Sequence, residues 1–169
     1  MASSTLEEKL AALGLGTAAQ TLAAWDARPP AERALLREAL EALADRELAR
    51  RRERRVAARI KAARFVQIQT VDTFNFEYNA STRKLRSRYL NLLATDLAQE
   101  GVGALFVGGS GLGKTHLSRA LGYAQCQKER RVLYTTLPAL VNRLAAAEAT
   151  KTLHQALKQQ QDPEVLLVD

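Results

Sequence analysis

Apolar positions recur along the first half of this chain at helical spacing. Leu6, Leu10 and Leu13 form a stripe, and Ser4-Thr5-Leu6-Glu7 has the form of a capping box, so a short helix is predicted at the start. Gly14 and Gly16 break it, Thr17 can restart it, and Leu22 and Trp25 continue the apolar face. Trp25, the only tryptophan, is expected to pack within this small helical unit. Arg28-Pro29-Pro30 predicts a turn, because a residue preceding proline is pushed out of the helical region. Between Ala31 and Phe65 there is neither glycine nor proline. Alanine, leucine, glutamate and arginine dominate that stretch, and Leu36, Leu40, Leu43, Leu48, Val56 and Ile60 give it one interrupted apolar side. One long helix is predicted there. Residues 67–79 read as an extended connector carrying Phe74, Phe76 and Tyr78, and Arg83 to Glu100 returns to helical spacing with Leu85, Tyr89, Leu92, Leu93 and Leu97.

The second half changes period. Ala104–Val107, Val132–Thr136 and Val165–Val168 are continuous apolar runs, each reading as a buried strand. They alternate with helical stretches after Thr115, at Leu137–Glu148 and at Lys151–Gln161. Continuous apolar strands alternating with helices indicate a parallel sheet covered on both faces. The organisation expected is therefore an all-helical unit over 1–65, a linker over 66–80 and an α/β core over 81–169.

Charge sharpens this division. The chain of 169 residues has a net charge of +7, and Arg46 to Arg64 alone holds nine basic residues against two acids. The rest of the chain therefore sums to zero, and one helical segment makes the protein basic. Arg50, Arg51, Arg52, Arg54, Arg55 and Arg59 are the candidate contacts to a DNA phosphate backbone. The competing reading is a solvated face on an exposed helix. No aromatic residue interleaves with these arginines, which favours duplex backbone over stacked single strands. A single cysteine, Cys126, excludes an internal disulfide and reads as a small core residue. Two histidines and one cysteine suggest no zinc cage. No run is long enough to span a membrane and the first residues do not form a signal peptide, so a cytoplasmic protein is expected.

The chemistry concentrates in Gly108-Gly109-Ser110-Gly111-Leu112-Gly113-Lys114-Thr115, which fits G-x-x-x-x-G-K-[ST] at every fixed position. An apolar run precedes it, and Leu117, Leu121 and Ala124 continue it at helical spacing. Backbone N–H groups converging at a helix N-terminus bind phosphate oxygens, and glycines let the backbone curl around the anion. Lys114 would place its charge on the β- and γ-phosphates, and the Thr115 hydroxyl would ligate Mg²⁺. Asp169, an acid at the carboxyl end of a buried strand downstream of such a loop, stands where a Walker B aspartate holds Mg²⁺ with the threonine.

With these residues in view, the chain resembles the IstB-like ATP-binding proteins, AAA+ helpers of insertion-sequence transposition related to the DnaC helicase loader. Four stretches carry the resemblance: the arginine-rich helical unit, Thr73-Phe74-Asn75-Phe76, Gly108 to Leu117, and Arg131-Val132-Leu133-Tyr134-Thr135-Thr136. It implies a P-loop AAA+ fold, binding of ATP and Mg²⁺, self-assembly into a homo-oligomer on target DNA, and stimulation of a cognate transposase. By the same resemblance Phe74 and Phe76 would lie near the adenine, and the arginine-rich segment would face DNA or the transposase. The alternative is a DnaC-like loader of a replicative helicase. The loop has Gly109-Ser110 where many relatives have two prolines, at positions that vary. The catalytic glutamate, sensor residues and arginine finger of a whole family member would follow Asp169. The sheet core is thus expected to be incomplete in this chain, which is expected to bind ATP weakly and not to hydrolyse it.

Overall fold

The computed structural model describes residues 5–23 and 29–169. Two compact units divide it, Met1–Arg55 and Val56–Asp169.

In the first unit, α1 (Leu6–Ala12) and α2 (Gly16–Ala23) are followed by α3 (Pro30–Ala62), which continues into the second unit. The capping box forms one position later than expected. Thr5 accepts from the Glu8 amide at 3.3 Å, while the Glu8 carboxylate accepts from the Thr5 amide at 3.0 Å. Leu6, Leu10 and Leu22 bury one another, with Leu40 of α3 against them. Lys9 pairs with Asp45 at 2.9 Å and Arg37 with Glu7 at 3.1 Å, tying α1 to the first half of α3. Proline opens α3, where its missing N–H costs nothing. The expected packing of Trp25, and Arg28 of the expected turn, lie outside the described residues.

In the second unit, the connector is not extended. It forms two 3₁₀ turns, Val71–Thr73 and Phe76–Tyr78. Local hydrogen bonds build the second: Asn75 Oδ1 accepts from the Glu77 amide at 2.9 Å, and the Thr82 hydroxyl donates to the Phe76 carbonyl at 2.8 Å. Asn79 then caps α4 (Ala80–Ala94) in a reciprocal box with Thr82. The helix expected over residues 83–100 is broken in two. Thr95 is extended, with ψ 137°, and Asp96 caps the short α5 (Leu97–Glu100). Lys128 reaches the carbonyls of Leu93 and Ala94 at 2.7 and 2.8 Å, satisfying acceptors that the end of α4 leaves open.

The loop helix α6 (Lys114–Gln127) leads to β1 (Val132–Thr135), α7 (Leu137–Ala149), α8 (Leu153–Gln161) and β2 (Val165–Val168). β1 and β2 pair in parallel with Val132 opposite Val165 and Thr135 opposite Val168. On the other side of β1, Tyr134 donates its amide to the Ala63 carbonyl at 2.9 Å. Cys126, Val132, Tyr134 and Leu167 form a buried cluster with Ala63, and Phe65 packs against it. Gly122 lets α6 approach this closely, because a Cβ there would run into Leu167 and meet Phe65 at 3.1 Å. Cys126 is fully buried, and burial pushes its thiol up to about 11, an inert core residue.

The third expected strand does not form: Ala104–Val107 pairs with neither β1 nor β2. A cavity of about 430 Å³ lies between this segment and β2, and Leu105 and Val107 are 88% and 84% exposed. Apolar side chains favour a strand, but only a ladder partner makes one, and β2 is a cavity's width away. The architecture is α/β, mostly helical, around a two-stranded parallel sheet. Among the described residues no helix is long and apolar enough to cross a membrane.

Candidate functional site

The glycine-rich stretch passes from an irregular loop directly into α6, with Lys114 as the first helical residue. Gly111 and Gly113 both have φ of 77°, in the left-handed region. At Gly113 a second constraint applies, since a Cβ would collide with the Phe74 ring. The loop's curl therefore depends on glycine both for its backbone and for the close approach of an aromatic ring. Lys114 folds back over the loop, donating from Nζ to the Gly109 carbonyl at 2.7 Å.

Asp169 meets the loop from the other end of the sequence. Thr115 Oγ1 donates to Asp169 Oδ1 at 2.8 Å. The backbone of Asp169 is pinned on both sides, its amide donating to Thr135 at 3.0 Å and its carbonyl accepting from Leu137 at 2.8 Å. The ladder of β1 and β2 thus continues one step past the strands and fixes where the carboxylate can point. Its second oxygen, Oδ2, accepts from the Tyr134 hydroxyl at 2.9 Å. Arg119 completes the group: Nη2 donates to the Tyr134 oxygen at 2.7 Å, lies 3.7 Å from Asp169 Oδ2, and its guanidinium sits 4.9 Å from the Tyr134 ring centre. Burial raises the pKa of Tyr134, so its hydroxyl remains a donor at neutral pH.

The aromatic pair Phe74 and Phe76 separates into two environments. The rings contact edge to face with centroids 4.7 Å apart, but Phe74 lies over Gly113 whereas Phe76 is buried with Tyr89 and Leu117. His116, which follows the motif, anchors the connector to α6: its Nε2 lies 2.9 Å from the Thr70 carbonyl and 3.3 Å from the Thr73 hydroxyl. Its ring is also 5.3 Å from that of Phe74. Gly108, Gly109, Ser110, Gly111, Leu112 and Gly113 thus form one loop that runs into Lys114 and Thr115 at the start of α6, and Asp169 and Phe74 flank it.

The arginine candidates all lie on α3. Arg50 and Arg51 pair with Glu47 at 3.3 and 3.1 Å, and Arg51 also donates to the Leu13 carbonyl at 3.2 Å. Arg50, Arg51, Arg52, Arg54 and Arg55 are exposed on α3, whereas Arg59 belongs to the second unit. Sequence reading did not single out Arg119, Tyr134 or His116 for this site. Each acts across 15 or more positions, and only the placement of α6 over the sheet brings them to Asp169 or the connector.

A family profile described as IstB-like ATP binding protein matches residues 8–169. The chain belongs to the IstB-like ATP-binding family. Among its relatives, a protein named for ATP binding in insertion sequence IS5376 of Geobacillus stearothermophilus is 30% identical over 127 residues, covering 75% of this chain and 50% of that protein. A similarly named protein of insertion sequence IS21 from Pseudomonas aeruginosa is 32% identical over 119 residues, 70% of this chain and 44% of its own length. A shorter match reaches the chromosomal replication initiator protein DnaA of Enterococcus faecalis, 38% identical over 66 residues, which is 38% of this chain and 15% of that protein. The chain spans about half the length of the insertion-sequence relatives it matches. This membership in the IstB-like family agrees with the resemblance carried by the loop and the arginine-rich helix.

Proposed function

We propose that the loop Gly108–Thr115 binds the phosphates of ATP, with Mg²⁺ held between Thr115 and Asp169. The observation that carries this is the 2.8 Å hydrogen bond from Thr115 to Asp169, which joins the end of the loop to the end of a strand 54 positions away. A hydroxyl and a carboxylate, both oxygen donors, sit beside a helix N-terminus bearing a lysine, and that donor set fits a hard divalent cation better than any softer metal. Thr115 and Asp169 would hold Mg²⁺ there, and the ion would supply positive charge that neutralises the phosphates. Lys114 would exchange the Gly109 carbonyl for a phosphate oxygen, Tyr134 would keep the carboxylate oriented, and Phe74 would close the side of the loop toward the base.

On this reading the chain is the nucleotide-binding part of a cytoplasmic AAA+ helper of transposition, which assembles on DNA and stimulates a transposase. Family membership and the names of its insertion-sequence relatives support it, as does the exposed arginine face of α3. The test is a titration of the 169-residue chain with a fluorescent ATP analogue, with and without Mg²⁺. Saturable binding that Lys114→Ala abolishes supports the site, and binding indifferent to Lys114→Ala removes it. Capture of a cognate transposase, and not of a replicative helicase, by the purified protein would separate the helper from the loader.

A further inference from the structure

The parallel strands give the second unit two ends. Thr115 and Asp169 lie at the carboxyl end, whereas Arg131, which precedes β1, marks the amino end. A strand of four residues spans about 13 Å. At that amino end a cavity of about 330 Å³ is lined by Arg59, Arg64, Arg131, Arg143, Gln160 and Asp162, above the buried Val132 and Leu133. The arginines come from four separate places: the end of α3, the segment after it, the start of β1, and α7.

Two features distinguish this cavity from an ordinary charged surface. Arg59, Arg64 and Arg143 have no carboxylate within ion-pair distance among the described residues; only Arg131 is paired, with Glu164 at 3.4 Å. Both polar atoms of the Gln160 side chain are buried without a protein partner. An unpaired buried amide is costly, as are guanidinium groups crowded without acids. The balance of charge favours an anion. With Arg131 neutralised by Glu164, three guanidinium groups face one lining carboxylate, Asp162, and the end of α8 adds only about half a negative charge. A concave wall focuses that positive field. The guanidinium fork pairs with two phosphate oxygens at once.

We propose that this cavity binds phosphate groups of a nucleic-acid backbone, as a second phosphate site distinct from the glycine-rich loop. It rests on the reading of DNA as a partner, and adds that the nucleotide-binding unit grips the backbone itself. Arg59 is the last of the arginines that are candidate DNA contacts, so the run leads in sequence to the cavity.

The test measures binding of a labelled duplex by the whole chain from 50 to 300 mM salt. Three proteins are compared: wild type, Arg59→Gln/Arg143→Gln, and Arg51→Gln/Arg54→Gln. Arg64 is left in place, so that its left-handed backbone, with φ of 60°, is undisturbed. Circular dichroism and the melting temperature establish that each variant is folded. The cavity variant is expected to bind about tenfold more weakly and to lower the slope of log K against log salt by about 1.8, two phosphate contacts' worth. A wild-type slope in that variant overturns the proposal, and a reduced slope in Arg51→Gln/Arg54→Gln would then leave DNA binding on α3 standing alone. Failure of the wild-type chain to bind duplex removes both. Tripolyphosphate is the competitor: if it abolishes the cavity-dependent part at equal phosphate concentration, the ligand is free polyphosphate and the backbone assignment is wrong.

Discussion

Thr115 and Asp169 are joined by a 2.8 Å hydrogen bond although one lies in the first turn of a helix and the other follows a strand 54 positions later. The parallel register of β1 and β2 makes this possible, because it brings Asp169 level with the residue after Thr135. If the pair holds Mg²⁺, replacing Thr115 by alanine removes one oxygen ligand and leaves the phosphate cradle intact. Affinity for ATP without metal should then stay within about twofold of wild type, while the gain on adding Mg²⁺ falls by roughly tenfold, the worth of one good polar contact. Equilibrium titration in EDTA and in Mg²⁺ measures both.

Tyr134→Phe isolates the orientation of the carboxylate. Asp169 loses the donor 2.9 Å from Oδ2, while the ring under Arg119 remains. The Mg²⁺ concentration needed for half-maximal nucleotide binding should rise severalfold with nucleotide affinity in EDTA unchanged. Loss of outer partners of a metal ligand has that kind of effect. An unaltered Mg²⁺ requirement would mean that Asp169 is oriented by its backbone alone.

Gly113→Ala should damage both stability and the loop. A left-handed φ of 77° costs a residue with a Cβ about 1–2 kcal/mol, and the methyl also meets the Phe74 ring. A lower melting temperature is expected, together with loss of nucleotide binding. Adding Phe74→Ala should recover part of the stability, the part due to collision. No recovery would place the whole penalty in the backbone.

Tyr89 carries a prediction about alkaline pH. Its side chain is 1% exposed, its hydroxyl donates to the Leu117 carbonyl at 2.8 Å, and burial raises its pKa well above the usual tyrosine value. The folded state therefore keeps this proton after the unfolded chain has released it. Stability contributed by the protonated phenol is full below about pH 10 and is lost as pH rises beyond that value. Tyr89→Phe should cost about 1 kcal/mol at neutral pH for the lost hydrogen bond and flatten the alkaline decline by one proton's worth. Chemical denaturation at pH 8 to 11 reads this directly.

The parts of the molecule legible in the sequence are those set by neighbours along the chain. The glycine loop announces itself because left-handed turns, a lysine and a helix start fall within eight residues. Long helix α3 follows from composition without breakers. The connector reads as extended in its sequence although its turn signals are local: Asn75 and Asn79 cap amides two and three residues on. The failure of Ala104–Val107 to become a strand has another origin. An apolar run states that a segment prefers burial, but a ladder needs a second strand at the right distance, which no local pattern encodes. Arg119, Tyr134 and His116 were silent for the same reason, since their partners are chosen by how α6 lies on the sheet and connector. Thr95 reads as the interior of a helix, but Asp96 caps α5 and pairs with Arg130 at 2.6 Å, while Lys128 takes up carbonyls that the end of α4 leaves open.

The most direct test of the nucleotide and metal site is the Mg²⁺ dependence of ATP binding in wild type, Lys114→Ala and Asp169→Asn, each titrated with a fluorescent ATP analogue in Mg²⁺ and in EDTA. Wild type should bind more tightly in Mg²⁺, Lys114→Ala should lose binding in both, and Asp169→Asn should lose only the gain due to metal. Binding by Asp169→Asn that still tightens with Mg²⁺ as wild type does would contradict the pairing of Thr115 with Asp169 as the metal site.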